Sequence, residues 1–312
     1  MGIDEAGYGP NLGPLVMSAV VVESLEDRPF DVWRDLSATI SRAGGPPERL
    51  WVDDSKALYV GGKGRDRLDA ATLAAVAPEA TPRTFGALLE ALRAGTLDEV
   101  ELSPWLDLGD PPYPCEGSRA RCESARLARP FEGARWRIRA VLSEVVGPAR
   151  FNAGLDRTGS KARVHFEAFA RLLGAAWALA DAGSVVHVTG DKHGGRHFYY
   201  APLADAFPDS WIKRGVEGPD LSRYTIQAPG RRLELNLRPR ADADDGLVAL
   251  ASMVSKAVRE HWMDAFNAHW RIQVPALKPT AGYPLDAARF RRSIEPLCRE
   301  RGLAPSLWWR AK

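Results

Sequence analysis

The sequence predicts an α/β domain: a mixed β-sheet flanked by helices, with an inserted segment and a C-terminal helical region. Three observations point to it. "GIDE" at 2–5 and "SVVHVTGD" at 184–191 read as strands that end on carboxylates. The longer run "LVMSAVVV" at 15–22 is β-branched at its end and reads as a buried strand. Two long stretches, 156–183 and 241–270, repeat apolar residues every three or four positions, as amphipathic helices do. The order strand, strand, helix, strand, strand, helix describes an α/β domain with a mixed sheet.

Taken along the chain, residues 2–5 form the end of a short strand. Only Met1, Gly2 and Ile3 precede Asp4, whereas a strand usually runs about five to six residues. The expectation is a natural start upstream or an unusually truncated strand. "GPNLGP" is a turn, and 14–23 is the longer buried strand. Residues 30–43 are expected to be helical, stopped by "RAGGPPER". "LWVDDSKAL" at 50–58 leads into a Gly-rich loop, "VGGKGRDR", which lacks the GK[ST] ending of a Walker loop. Helical periodicity returns at 65–79 and 84–95. The Pro-, Gly- and charge-rich stretch 100–133 is expected to be an irregular lid within an insertion of about 62–150. Residues 136–147 fit a strand or a helix.

The helix at 156–183 places Phe166, Phe169, Ala170, Leu173, Ala176 and Trp177 at helical spacing and stops at Gly183. Residues 223–239 read as two strands around a Pro-Gly turn, 241–270 as a helix with an acidic start, and 284–303 as a surface-packed helix. The catalytic unit is expected over 1–270, with 271–312 as a helical extension.

A chain of 312 residues, 45% hydrophobic and 26% charged, is large enough to bury a sizeable core. No run of eighteen apolar residues is present, so no membrane span is predicted. The N-terminus lacks the basic and apolar regions of a secretory signal. Cys115, Cys122 and Cys298 are a sparse, odd set that suits a reducing compartment, and the expected location is the cytoplasm. Net charge is +2, so bulk charge barely favours an acidic partner. Eight of the 42 basic residues are Lys and the rest Arg. Arg is the better bidentate phosphate partner, although a GC-rich genome gives the same bias. A monomer is the default expectation.

Acids stand at the ends of separate elements: Asp4 and Glu5, Asp191, and Asp242. Adjacent strand residues point to opposite faces. Asp4 and Glu5 therefore share one site only where the strand ends or bends, a freedom that Gly7 supplies. Two unit charges at about 4 Å repel by roughly 4 kcal/mol at an effective dielectric near 20. A carboxylate cluster therefore needs shared protons or cations. Hard oxygen ligands without Cys or a compact His set favour Mg²⁺ or Mn²⁺ over zinc. Taken singly, Asp242, Asp244 or Asp245 would each serve as a helix cap, and Asp191 as a turn residue. His193 and His197 flank Asp191 and read as solvated or phosphate-facing.

"GIDEAGYGPNLGPLVMSAVVV" resembles the opening signature of the type 2 ribonuclease H family (ribonucleases HII and HIII), Gly-x-Asp-Glu-(Ala/Ser)-Gly, a basic residue, Gly, then a Gly-Pro-(Leu/Val)-Val strand. "DDSKAL" resembles the family's Asp-Ser-Lys-x-Leu at Asp54, Ser55, Lys56 and Leu58. "LDRTGSKARVHFEAFARLL" resembles the helix that precedes the third catalytic strand, and "ADADDGLVALASMVSKAVRE" its Ala-Asp-Ala and Ala-Ser-x-x-(Ala/Ser)-Lys helix. Counting back from Ser252 and Lys256 selects Asp242 as the family acid. "AGYP" places Tyr283 on the late Gly-Tyr motif. The resemblance runs at intervals from residue 2 to about 290 and skips roughly 62–150.

The resemblance implies a ribonuclease H-like fold and a metal quartet of Asp4, Glu5, Asp191 and Asp242 holding two Mg²⁺ or Mn²⁺ ions. The implied reaction is hydrolysis of the RNA strand of an RNA/DNA hybrid or RNA–DNA junction duplex, leaving 5′-phosphate and 3′-hydroxyl ends. It further implies that Lys56 and Lys256 contact phosphates, with Ser55 and Ser252 supplying hydroxyls. Gly7 and Gly9 would read the ribose 2′-hydroxyl by their backbone, and Tyr283 would stack on a sugar. Tyr8 departs from the pattern, because it stands where the family carries Arg or Lys. A tyrosine stacks or hydrogen-bonds but brings no charge. Two other readings stay open at this point: a nuclease of the same broad fold with an altered substrate, such as a DNA junction resolvase, and a non-catalytic nucleic-acid-binding module.

Overall fold

The computed structural model describes residues 1–26, 28–76, 81–92, 105, 110–114, 116–133 and 135–311. A seven-stranded mixed sheet carries the molecule. Its strands are β1 (Gly2–Ala6), β2 (Leu15–Ser24), β5 (Trp136–Val146), β6 (Val185–Asp191), β7 (Trp211–Glu217), β8 (Ser222–Ala228) and β9 (Arg231–Arg238). Their spatial order is β5-β2-β1-β6-β9-β8-β7. A separate parallel pair joins β3 (Ile40–Ser41) to β4 (Leu50–Trp51). The helices are α1 (Val32–Asp35), α2 (Gly64–Val76), α3 (Phe85–Ala91), α4 (Arg119–Leu127), α5 (Pro148–Thr158), α6 (Lys161–Leu179), α7 (Tyr200–Ala206), α8 (Ala241–Asp244), α9 (Gly246–Gln273) and α10 (Pro284–Glu300).

The five residues of β1 lie in the middle of the sheet. β1 runs antiparallel to β2, from Gly2 opposite Val20 to Ala6 opposite Val16. It runs parallel to β6, with Gly2 beside Thr189 and Ile3 beside Gly190. β6 in turn runs parallel to β9. Three neighbouring strands thus end at one edge of the sheet, and that edge is where acids from distant segments meet.

Strand alternation sorts the side chains onto two faces. Val16 and Val20 of β2 join the core formed with α2, α9 and α10. Leu15, Met17 and Ala19 join the opposite core, with Ile3 and with Val164, Phe169 and Leu173 of α6. Helices cover both faces, which is why "LVMSAVVV" carries no polar alternation. Gly2 is required by close approach: a Cβ there would lie 2.3 Å from the Leu247–Val248 backbone at the start of α9.

Several elements differ from expectation. The single helix expected over 156–183 is two, α5 and α6. Gly159 closes the first at φ +63°, and Ser160 caps the second by accepting from the Arg163 amide. Of residues 30–43, only Val32–Asp35 is helical, and Ile40 and Ser41 pair as strand instead. Within the expected irregular lid, Arg119–Leu127 is a helix; residues 100–104, 106–109 and 115 lie outside the described residues. The ambiguous 136–147 is β5, paired along the whole of β2, so the stretch expected as an insertion ends in a strand of the main sheet. β7 and α7 had no counterpart in the sequence reading. Only Ile212 of β7 is buried, so that edge strand shows no alternation.

Candidate active site

Asp4 and Asp191 stand on adjacent parallel strands, one residue beyond the Ile3–Gly190 pairing. Asp242 follows the end of β9 in α8. Asp245, not Asp242, caps the long helix α9: its carboxylate accepts from the Leu247 amide at 2.9 Å. The neighbouring aspartate is thereby left out of the cap.

The acids sense one another. Burial raises the proton affinity of Asp4 well above the usual carboxylate range, and the Glu5 and Asp242 charges raise it further. A hydrogen bond with Ser252 opposes the shift. Asp191 is raised first by burial, then by Glu5 and Asp242; the Lys192 amide, donating to its Oδ1 at 2.8 Å, opposes this. Asp242 is raised by burial and then by Asp54, with Lys56 opposing. Burial thus comes first in each case, and carboxylate repulsion follows it.

Alternation explains where Asp4 and Glu5 point. Asp4 faces α9, where Ser252 bonds its carboxylate and Ser255 Oγ donates to its carbonyl at 3.0 Å. Glu5 faces α6, where its Oε1 lies 3.4 Å from His165 Nε2. His165 is fully buried and also packs its ring against Tyr8 at 4.8 Å and His193 at 4.4 Å. His193 is not solvated, as the sequence suggested. It is buried among Phe166, Phe169 and Tyr199, and burial holds its proton affinity well below the ordinary value.

A cleft of about 820 Å³ opens beside the acids on the α9 side. Of the residues expected to bind nucleic acid, Gly7, Ser55, Lys56, Ser252, Lys256 and Tyr283 line it, together with Glu5. Lys56 is exposed. Lys256 holds its Nζ 4.2 Å over the Tyr59 ring, and burial lowers its proton affinity. Tyr283 is 57% exposed at the N-cap of α10. Gly9 faces open space. Tyr8 is not among the cleft-lining residues and packs against α6.

Two buried arginines brace the glycine turn. Arg259 Nη2 donates to the carbonyls of Leu12 at 3.3 Å and Ala281 at 2.8 Å. Arg310, 1% exposed, donates to the carbonyls of Gly7 at 2.6 Å and of Pro10. Burial and the nearby Arg259 pull Arg310 down to about 9, still charged at neutral pH. Gly7 sits at φ +86°, and a Cβ on it would lie 2.5 Å from Arg259 Nε.

The sequence reading missed Asp54 as a neighbour of Asp242, and it missed His165, Arg259 and Arg310. His165 did leave a signal, as a polar residue on the Phe166–Phe169 face of a helix. Arg310, in "LWWRAK", left none.

Among the described residues, no three His, Cys, Asp or Glu side chains stand close enough to form a metal-ligating group. The donor set itself suits a hard divalent cation: four carboxylates that raise one another's proton affinity, with no Cys among them.

No family model and no curated protein matches the chain. Solved structures are similar to it over nearly its whole length. One is the ribonuclease HII of the PCNA:RNase HII complex from Archaeoglobus fulgidus (14% identity, 100% of this chain and 93% of that one, TM-score 0.44). A second is the ribonuclease H2 from Pyrococcus horikoshii OT3 (15% identity, 98% and 90%, TM-score 0.42). A third, Bst-RNase HIII in complex with Mn²⁺, is 15% identical over 99% of this chain and 64% of that one, with a TM-score of 0.43. The reading of the site rests on this chain's own residues.

Proposed function

We propose that the chain is a divalent-cation-dependent endonuclease that hydrolyses the RNA strand of RNA/DNA hybrids, leaving 5′-phosphate and 3′-hydroxyl ends. One observation carries the reading: Asp4, Asp191 and Asp242, from the ends of three adjacent parallel strands, raise one another's proton affinity together with Glu5, beside a cleft lined by Lys56 and Lys256. Clustered acids next to clustered bases suit a phosphodiester whose charge is balanced by cations. The motif resemblance supports the same reading.

Asp4, Glu5, Asp191 and Asp242 would hold Mg²⁺ or Mn²⁺. Bound there, the ions supply the positive charge that phosphodiester hydrolysis requires at the attacked phosphorus and the departing 3′ oxygen. The chain's own residues do the rest. Lys56 and Lys256 attract and seat backbone phosphates, and Ser55 offers a hydroxyl beside them. Ser252 orients the Asp4 carboxylate. The backbone of Gly7 and Gly9 approaches the ribose and reads its 2′-hydroxyl, the group that separates RNA from DNA. Tyr283, exposed at the cleft mouth, stacks on a sugar. Residues 1–270 supply the catalytic groups, and the helical extension 271–312 supplies Tyr283. The protein is expected to act as a monomer in the cytoplasm.

Cleavage of three labelled duplexes with Mg²⁺ or Mn²⁺ tests this: an RNA/DNA hybrid, DNA with one embedded ribonucleotide, and all-DNA. Cutting of the hybrid, lost in Asp191→Asn, is expected. Cutting of DNA junctions alone would favour a resolvase, and absence of metal-dependent cutting would overturn the nuclease reading.

A further inference from the structure

The turn that carries Gly7 and Gly9 holds a tyrosine between them, and Tyr8 lies on the opposite side of β1 from the Lys56–Lys256 cleft. Its surroundings are cationic. Lys161, the first residue of α6, places its Nζ 4.5 Å from the centre of the Tyr8 ring. Arg196, in the loop that follows Asp191, is near enough for its charge to act on the Tyr8 hydroxyl. Tyr8 stays protonated, because burial and the Glu5 charge raise its proton affinity. Its hydroxyl is therefore a hydrogen-bond donor at neutral pH. Arg196 and Lys161 are both part-exposed, so their charges face solvent as well as the ring. The guanidinium of Arg196 lies 5.8 Å from the ring centres of Phe166 and Tyr199, a distance at which the rings steady it without neutralising it.

We infer that Tyr8, Lys161 and Arg196 form a phosphate-binding subsite on the α6 side of the acids, in which the charge absent at position 8 is supplied from two distant positions. The inference rests on the hybrid-cleaving reading and names a part of its substrate contact. Cations then flank the acids on both faces of β1: Lys56 and Lys256 on the α9 side, Lys161 and Arg196 on the α6 side. Such a pair of flanks suits a duplex, whose two backbones lie on either side of the scissile bond. A tyrosine between the glycines is compatible with phosphate binding under these conditions, because it donates a hydrogen bond while its ring face steadies Lys161.

The test is binding of a labelled RNA/DNA hybrid without divalent metal, titrated across salt, together with steady-state cleavage. The proteins are the full chain, Lys161→Met/Arg196→Gln, Lys161→Arg, and Tyr8→Arg placed in the double variant. The double variant should bind roughly tenfold more weakly at low salt, and its log–log salt slope should be shallower by about 1.8, for two phosphates released. The loss should appear in KM, with kcat changed less than about threefold. Lys161→Arg should bind as the wild type does, and Tyr8→Arg should restore binding to the double variant. A double variant that binds with the wild-type affinity and slope, while the wild type cuts the hybrid, would overturn the subsite and leave the nuclease reading standing. A wild type that neither binds nor cuts the hybrid would overturn both.

Discussion

The Arg310 guanidinium donates to the Gly7 carbonyl at 2.6 Å, across 303 positions of sequence. It is a buried cation whose bonds run to the backbone carbonyls of Gly7 and Pro10. The neighbouring strand supports the same join: Arg310 N donates to the Asn11 carbonyl at 2.8 Å, and Asn11 Nδ2 returns a bond to the Arg310 carbonyl at 3.1 Å. Segment 309–311 therefore fixes the shape of the glycine turn beside the acids.

Replacing Arg310 by methionine keeps much of the volume and removes the charge. Two buried carbonyls then lose their donor, at a cost of about 1–3 kcal/mol each, offset in part because a desolvated cation is gone. The expected result is a modest drop in Tm with a larger drop in cleavage, as the turn loosens. Calorimetry and kcat/KM on Arg310→Met would check it; unchanged cleavage would show that the turn holds its shape without the brace.

The raised proton affinity of Asp4 makes a prediction about pH. Folded Asp4 binds its proton more tightly than unfolded Asp4, whose ordinary value is 3.8. Between the two values the folded state holds more protons, so metal-free stability falls as pH rises through that window. Asp4→Asn removes the penalty. In EDTA at pH 7.5 it should melt ~2–4 °C above the wild type, and near pH 4 the gap should shrink. Mn²⁺ should raise the wild-type Tm and have a smaller effect on Asp4→Asn. A wild type that melts above the variant in EDTA at pH 7.5 would contradict the site's electrostatics.

Asp242 and Asp245 stand three positions apart and do different jobs. Asp245→Ala removes the cap of α9 and should cost about 1 kcal/mol, read in a urea titration. Asp242→Asn should leave stability unchanged or raise it, while abolishing cleavage. The reverse pattern would exchange their roles.

Gly7 and Gly9 separate in the same way. Gly7→Ala places a Cβ at φ +86° and 2.5 Å from Arg259 Nε, a strain of about 1–3 kcal/mol. Gly9→Ala meets no atom within 4 Å. Its Tm should be unchanged, yet hybrid cleavage should fall, because the methyl group stands where substrate backbone approaches. Wild-type kinetics for Gly9→Ala would remove that residue from substrate contact.

Much of the sheet was legible in the sequence because its signals are local. β2, β6, β8, β9 and the long helices announce themselves through apolar runs, periodicity and turn residues. The acids were legible as strand-end carboxylates, and the motif resemblance chose Asp242 over its neighbours. What escaped depends on tertiary contact. Gly159 and Ser160 split a continuous apolar periodicity, because the break lies in backbone conformation and capping. His193 reads as a loop histidine until Phe166 and Phe169 close over it. Arg310 carries no pattern, and its role exists only because the chain returns to residue 7. Asp54 lay within a quoted motif, yet its nearness to Asp242 follows from the fold alone.

The central position of β1 has a consequence for when the site comes into being. Residues 2–6 pair with 16–20 on one side and with 189–190 on the other, lie beneath 247–248, and lead into a turn clasped by residue 310. Closing contacts of such separation is the slow part of folding. A chain emerging from the ribosome therefore makes its first acids early and completes their surroundings late. A fragment ending before residue 242 carries Asp4, Glu5 and Asp191 with neither the fourth acid nor the serines of α9. Whatever chemistry the cluster performs switches on as one event, near the end of synthesis, and unfinished copies stay harmless to the nucleic acids around them.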